Sequence, residues 1–404
     1  MIMLMATLPC AVCISNDTAS CSAQGGAAVP LPLPMPASIA ALIREAWSEL
    51  DADGEEMVDV LSRGKLVSPL SFFAHARSTF KEHLIGTFGL LAAWGQPKDV
   101  RRAGLFHTAY SGDLFQFYVF DASSSADRSE LRGIIGTEAE SLVHMFGTVH
   151  RGQLVGLSDA INDTAGAAPP AMSGAPDDAT LVADRLLGER RVSNREASKL
   201  MVVTIADYLE QMVEVNGWRD HHQVEMPEAL YPGDGKPALA LHWMSHVCLA
   251  VRGQLEVVPP IFDGCTRLIS LDDERAARDA YWRVVQREAD LSEAEQLALL
   301  DEAAAKNPFV GEVHLMAAQL HFRAGRHALA AEACARALER FYALATAWDK
   351  RRSFGSWVGY ARVLYLRATR LSRGLSSLPY NEELPPTSGG LKMVGIRGLV
   401  DDLP

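Results

Sequence analysis

Apolar residues recur at spacings of three and four along most of this chain, and no sustained period-two run appears. That periodicity predicts α-helices rather than sheet, and the fold class expected is all-α. The first stripe, Ile39, Leu42, Ile43, Ala46, Trp47 and Leu50, is punctuated by the turn sequence Asp51–Gly54. Residues 68–95 read as one long helix or two joined helices, closed at Gln96-Pro97 because a residue before proline avoids the helical region. Pro97 then opens a short helix running to His107. Thr137-Glu-Ala-Glu140 has the spacing of a capping box ahead of Leu142, Val143 and Phe146. Helices are expected again from Leu181, the longest spanning 194–215, and Pro259-Pro260 breaks the pattern once more.

Three stretches lack helical periodicity. Residues 1–36 end in proline-spaced apolar sequence and read as a disordered tail. Residues 158–180 are small, polar and rich in Pro and Gly, as in a flexible insertion. Residues 375–404 carry Pro and Gly clusters and read as irregular. The helical parts between them divide into 37–260 and 261–374. In the second, residues 311–340 pair two helices across Ala324-Gly325-Arg326, with small residues at Ala318, Ala330 and Ala337. This spacing resembles a tetratricopeptide repeat, which implies a groove for a protein partner.

Composition narrows the function classes. The formal net charge is −12, which argues against a nucleic-acid partner. No apolar run reaches the ~20 residues that cross a bilayer, so no membrane partner is expected. The apolar start, residues 1–14, carries no Lys or Arg, unlike a secretory or organelle-targeting leader. Six cysteines are dispersed, and Cys10-x-x-Cys13 has no second pair, which suits thiols in a reducing, cytoplasmic compartment. No phosphate-cradling glycine loop and no nucleophile elbow occurs, so no nucleotide cofactor is expected.

The candidate chemistry lies between Glu82 and Met212. His83 shares a helix side with Thr87, Leu90, Leu91 and Trp94. His107 ends the run Ala103-Gly-Leu-Phe, and Asp207 follows Val202-Val-Thr-Ile-Ala. Polar groups in such apolar surroundings need partners. Two imidazoles and a carboxylate suit a divalent transition ion such as Mn, Fe or Zn. Equally, the three could hydrogen-bond one another within a plain bundle, or not meet at all. His75, two helical turns before His83, and Asp113 are the remaining candidates for a catalytic base; a packing surface and an ordinary loop are their simpler roles. His242 and His246 stand one turn apart without the intervening glutamate of a metalloprotease and read as a packed helix face. His144 and His150 read as packing or surface residues, and His221-His222 as solvated.

Residues 75–212 resemble an HD-domain protein, in particular the hydrolase domain of RelA/SpoT-type alarmone enzymes. The likeness rests on the two histidines, the late Lys199-Leu200…Ala206-Asp207 helix and the phrase Ile134–Phe146. It implies His83, His107 and Asp207 as metal ligands of a phosphohydrolase acting on a nucleotide or small phosphoester. Two features depart from that family. The His-Asp doublet is His107-Thr108, and the positions of the water-activating acidic pair hold Tyr110-Ser111. The chain is more similar still to an HD-like family of unassigned activity with an AGLFH-x-x-Y motif (Ala103–Tyr110) and the phrase Ala347–Arg351. The alternative is a non-catalytic helical scaffold or ligand sensor with a degenerate HD site.

Overall fold

A computed structural model describes residues 34–63, 74–75, 78–110, 119–154, 157, 160, 171–211, 213–214 and 236–375. It is predominantly α-helical, as the periodicity predicts. The tail 1–36 (save its last three residues), most of the insertion 158–180, the loop carrying His221-His222, and nearly all of 375–404 lie outside the described residues.

Three short helices come first: α1 (Ala37–Ile43), α2 (Trp47–Leu50) and α3 (Gly54–Val60). The expected single stripe is broken between α1 and α2, where Glu45 takes a left-handed φ of 56°. Asp51–Gly54 forms the predicted turn, with the Asp53 amide donating to Asp51 Oδ1 at 3.1 Å.

A two-strand hairpin follows, β1 (Ala74–His75) against β2 (Ser78–Thr79), and then α4 (Phe80–Ala93). Where helix was expected across 68–95, residues 74–75 and 78–79 are therefore strand, and the helix that carries His83 begins at Phe80. Its start is set by a capping box that periodicity alone overlooks: Thr79 Oγ1 accepts from the Glu82 amide at 3.2 Å, while Glu82 accepts from the Thr79 amide at 2.8 Å. Next come α5 (Lys98–Phe106), α6 (Ser125–Ile135) and α7 (Thr137–Thr148). The capping box expected at Thr137–Glu140 does not form. Gly136, at φ 94°, caps α7 instead, and Glu140 turns inward. There it accepts from Tyr110 Oη (2.9 Å), Arg128 Nε (2.8 Å) and Arg132 Nη2 (3.0 Å). Three donors on a buried carboxylate are a stronger demand than one exposed cap.

The largest difference from expectation is an antiparallel hairpin, β3 (Ala179–Asp184) with β4 (Gly188–Ser193), where helix was expected from Leu181. Its apolar pattern misleads because Leu181, Leu186 and Leu187 are exposed, while the buried positions are Val182, Asp184 and Val192. Asp184 holds the turn by accepting from the amides of Leu186 (2.9 Å) and Leu187 (3.0 Å).

Helix α8 (Asn194–Gln211) runs through the core with Leu200–Ala206 buried on every side. It packs against α4, α5 and α7. A short pairing of β5 (Val213–Glu214) with β6 (Lys236–Pro237) leads to α9 (Leu241–Val251). The described residues that follow are mainly helical: α10 (Ile261–Cys265), α11 (Leu271–Arg287), α12 (Glu293–Lys306), α13 (Glu312–Arg323), α14 (His327–Leu344) and α15 (Phe354–Ser372). The small residues Ala318, Ala330 and Ala337 are fully buried among α13, α14 and α15, and Gly325 supplies the turn at φ 72°.

One apolar cluster extends from Ile39 to Trp348, and a second lies between α13, α14 and α15. Among the described residues no helix is long and apolar enough to cross a membrane. Cys248 is disulfide-bonded, whereas Cys334 is a free, buried thiol.

Candidate metal centre

Helices α4, α5 and α8 bring His83, His107 and Asp207 to one point. One ligand atom from each lies within 4.8 Å of the other two. His83 Nε2 is 3.2 Å from Asp207 Oδ1, and His107 Nε2 is 3.5 Å from the same oxygen. The imidazole rings meet edge to face with centroids 5.3 Å apart. All three side chains are buried.

The far side of each ring is occupied. His107 Nδ1 lies 2.7 Å from the carbonyl of Gly104, and His83 Nδ1 lies 2.6 Å from Glu210 Oε2. Neither a carbonyl nor a carboxylate can donate, so each Nδ1 carries the proton. In the neutral rings, both Nε2 atoms then present lone pairs to a carboxylate oxygen. Three electron-rich atoms in a buried space repel one another unless a cation sits among them, either a proton on an imidazole or a metal ion.

In the protonated form the charges are strongly coupled. Burial opposes the charged form of His83, but hydrogen bonds to Asp207 and Glu210 outweigh it and raise the pKa to about 9. Burial likewise opposes ionisation of Asp207; the neighbouring His107 and His83 nevertheless hold its carboxyl well below the usual range. The same donor set fits a divalent ion. Two imidazoles and one carboxylate leave coordination positions open, and the outer Nδ1–H groups are already held by acceptors, as at ligating histidines generally.

Local sequence explains how the helices approach so closely. A Cβ on Gly104 would lie 2.3 Å from Leu91 Cδ1, so glycine lets α5 seat on α4. A Cβ on Gly86 would lie 2.7 Å from Glu210 Cγ, so glycine opens the path by which Glu210 reaches His83. Around the site, Phe146 packs edge-on against His107 (5.2 Å), and the Arg151 guanidinium lies 3.6 Å above the Phe146 ring. Arg151 also donates to Thr204 Oγ1 at 2.9 Å. Gln211 Nε2 donates to Asp207 Oδ1 at 3.0 Å.

The other candidates are placed differently. His75 stands in β1, off the helical path, so it is not stacked two turns above His83; its side chain lies outside the described residues, as does Asp113. Tyr110 is buried and committed to Glu140. His242 Nδ1 bonds Glu274 at 2.7 Å, and Glu274 also accepts the amides that open α9, which makes this pair a helix cap. His144 packs between Ala122 and Arg190. Reading the sequence for ligands alone missed Glu210 and Gln211. Both stand three and four residues after Asp207, on the same helix face, and that spacing is their signal.

Residues 70–151 match the model of a domain of unknown function, DUF6817. The matched segment holds His83 and His107 but ends before Asp207. No curated protein and no solved structure matches the chain.

Proposed function

We propose that residues 75–212 form an HD-like, metal-dependent phosphohydrolase centre acting on a nucleotide or small phosphoester. One observation carries the reading: two imidazole nitrogens and a carboxylate oxygen converge in a buried space while both outer ring nitrogens are already bonded. His83, His107 and Asp207 would hold a divalent ion, Mn, Fe or Zn. When bound, the ion supplies Lewis acidity toward a phosphoryl oxygen and a more acidic water. The chain's own residues orient the rings, cover His107 with Phe146, and hold the Asp207 carboxylate through Gln211. A base is left to Asp113 or His75.

A second reading, a metal-dependent ligand sensor without turnover, is favoured by Tyr110, whose hydroxyl is tied to Glu140 instead of serving a water. In it, helices α12 to α15 offer a repeat-like surface for a protein partner.

Phosphate release from nucleotides and simple phosphoesters, measured with Mn, Fe(II) or Zn added, separates the two. The hydrolase reading expects metal-dependent turnover that is lost in Asp207→Ala. Stoichiometric metal without turnover on any phosphoester supports the sensor.

A further inference from the structure

Glu210 lies beyond the three ligands, and its position is built rather than incidental. Its carboxylate meets His83 Nδ1 at 2.6 Å although the two residues stand 127 positions apart. It sits one turn after Asp207 on α8, so a single helix face delivers both acids. The approach needs a glycine, since any Cβ at residue 86 would lie 2.8 Å from Glu210 Oε1. The two histidines are also treated unequally: His107 is backed by the neutral Gly104 carbonyl, His83 by a full negative charge.

We infer that Glu210 is the positioning residue of the metal centre, fixing His83 with its Nε2 lone pair inward and supplying the second negative charge that balances a divalent ion. This rests on the metal-centre reading above. With neutral imidazoles, Asp207 and Glu210 together carry two negative charges against two positive. An anionic acceptor behind a ligating imidazole also makes the ring a stronger donor, and loss of such a partner typically costs about 10- to 100-fold in metal affinity. Gln211 has a separate role, since it donates to the Asp207 carboxylate.

Two variants test this without touching a ligand. Glu210→Gln keeps an acceptor oxygen and removes the charge. Gly86→Ala leaves Glu210 in the sequence and crowds it away from His83; the atoms in its way belong to a flexible side chain, so the helices need not move. Manganese alone is the probe, titrated into the full chain by calorimetry, and the His83 Nδ1–H proton resonance is followed by NMR. Each variant is expected to bind manganese at least tenfold more weakly while keeping its helical circular dichroism. Each should move the Nδ1–H resonance upfield. The double variant should bind no more weakly than the weaker single one, since both changes break one contact. Affinities within twofold of wild type in both variants, with manganese still lost in Asp207→Ala, would overturn the role of Glu210 and leave the metal centre standing. Manganese retained by Asp207→Ala would overturn the metal centre and the role of Glu210 with it.

Discussion

His107 donates its Nδ1 proton to the carbonyl of Gly104, three residues back, at 2.7 Å. The residue that orients the ring is thus also the one whose missing side chain lets α5 lie against α4. Leu91 fills the space a Cβ would need. Ring orientation and helix contact therefore depend on one position.

Gly104→Ala should disturb both. Overpacking a buried helix contact costs roughly 1–3 kcal/mol, so urea unfolding should show a loss of that size. Manganese affinity should fall as well, because His107 shifts with its helix. A stability loss with unchanged affinity would mean that the ring is held by contacts other than the Gly104 carbonyl.

Binding of the ion should depend on pH with a definite sign. Without metal, His83 has a pKa near 9, against an ordinary 6.5, because the Asp207 and Glu210 bonds outweigh burial. At neutral pH the ion must therefore displace a proton. Affinity should rise with pH up to about 9, and calorimetry in buffers of different ionisation enthalpy should register proton release near pH 7. In the metal-free protein the same group stabilises the fold below its unfolded pKa of about 6.5. That contribution is lost as pH rises through 9.

Glu312 predicts an independent effect on stability, of the same sign but in a lower pH range. It is fully buried, and burial raises its pKa to about 7 against the bonds it accepts from the Trp348 (2.8 Å) and Asp349 (3.0 Å) amides. Its second oxygen, Oε2, has no hydrogen-bond partner among the described residues. A carboxyl whose folded pKa exceeds its unfolded one favours folding when protonated, so stability should decline from about pH 4.5 to about pH 7. Glu312→Gln should flatten that slope and melt at or above the wild-type temperature at pH 8. A lower melting temperature at pH 8 would show that the charged form is the stabilising one.

The helical class and most helix positions are legible in the sequence because buried faces repeat at three and four residues. The β3–β4 hairpin is not, since its leucines face solvent and its turn depends on Asp184, a polar residue buried by local hydrogen bonds. Glu140 was readable as a cap only while its partners were unknown; Arg128 and Tyr110 reach it across separate elements. At the site, His83, His107 and Asp207 stand out because each is polar within apolar sequence. Glu210 does not, since an acid near a helix end looks like surface, although its side chain is only a quarter exposed. Its importance arises only from the fold, through the gap at Gly86.

The account turns on whether this group of side chains holds a metal. The direct measurement is elemental analysis of the purified full chain after equilibration with Mn, Fe(II) or Zn and removal of free ion. The account predicts one divalent ion per chain in wild type and none in an Asp207→Ala variant that keeps its helical circular dichroism. A wild-type chain that retains no ion, or an Asp207→Ala chain that retains as much, would contradict it.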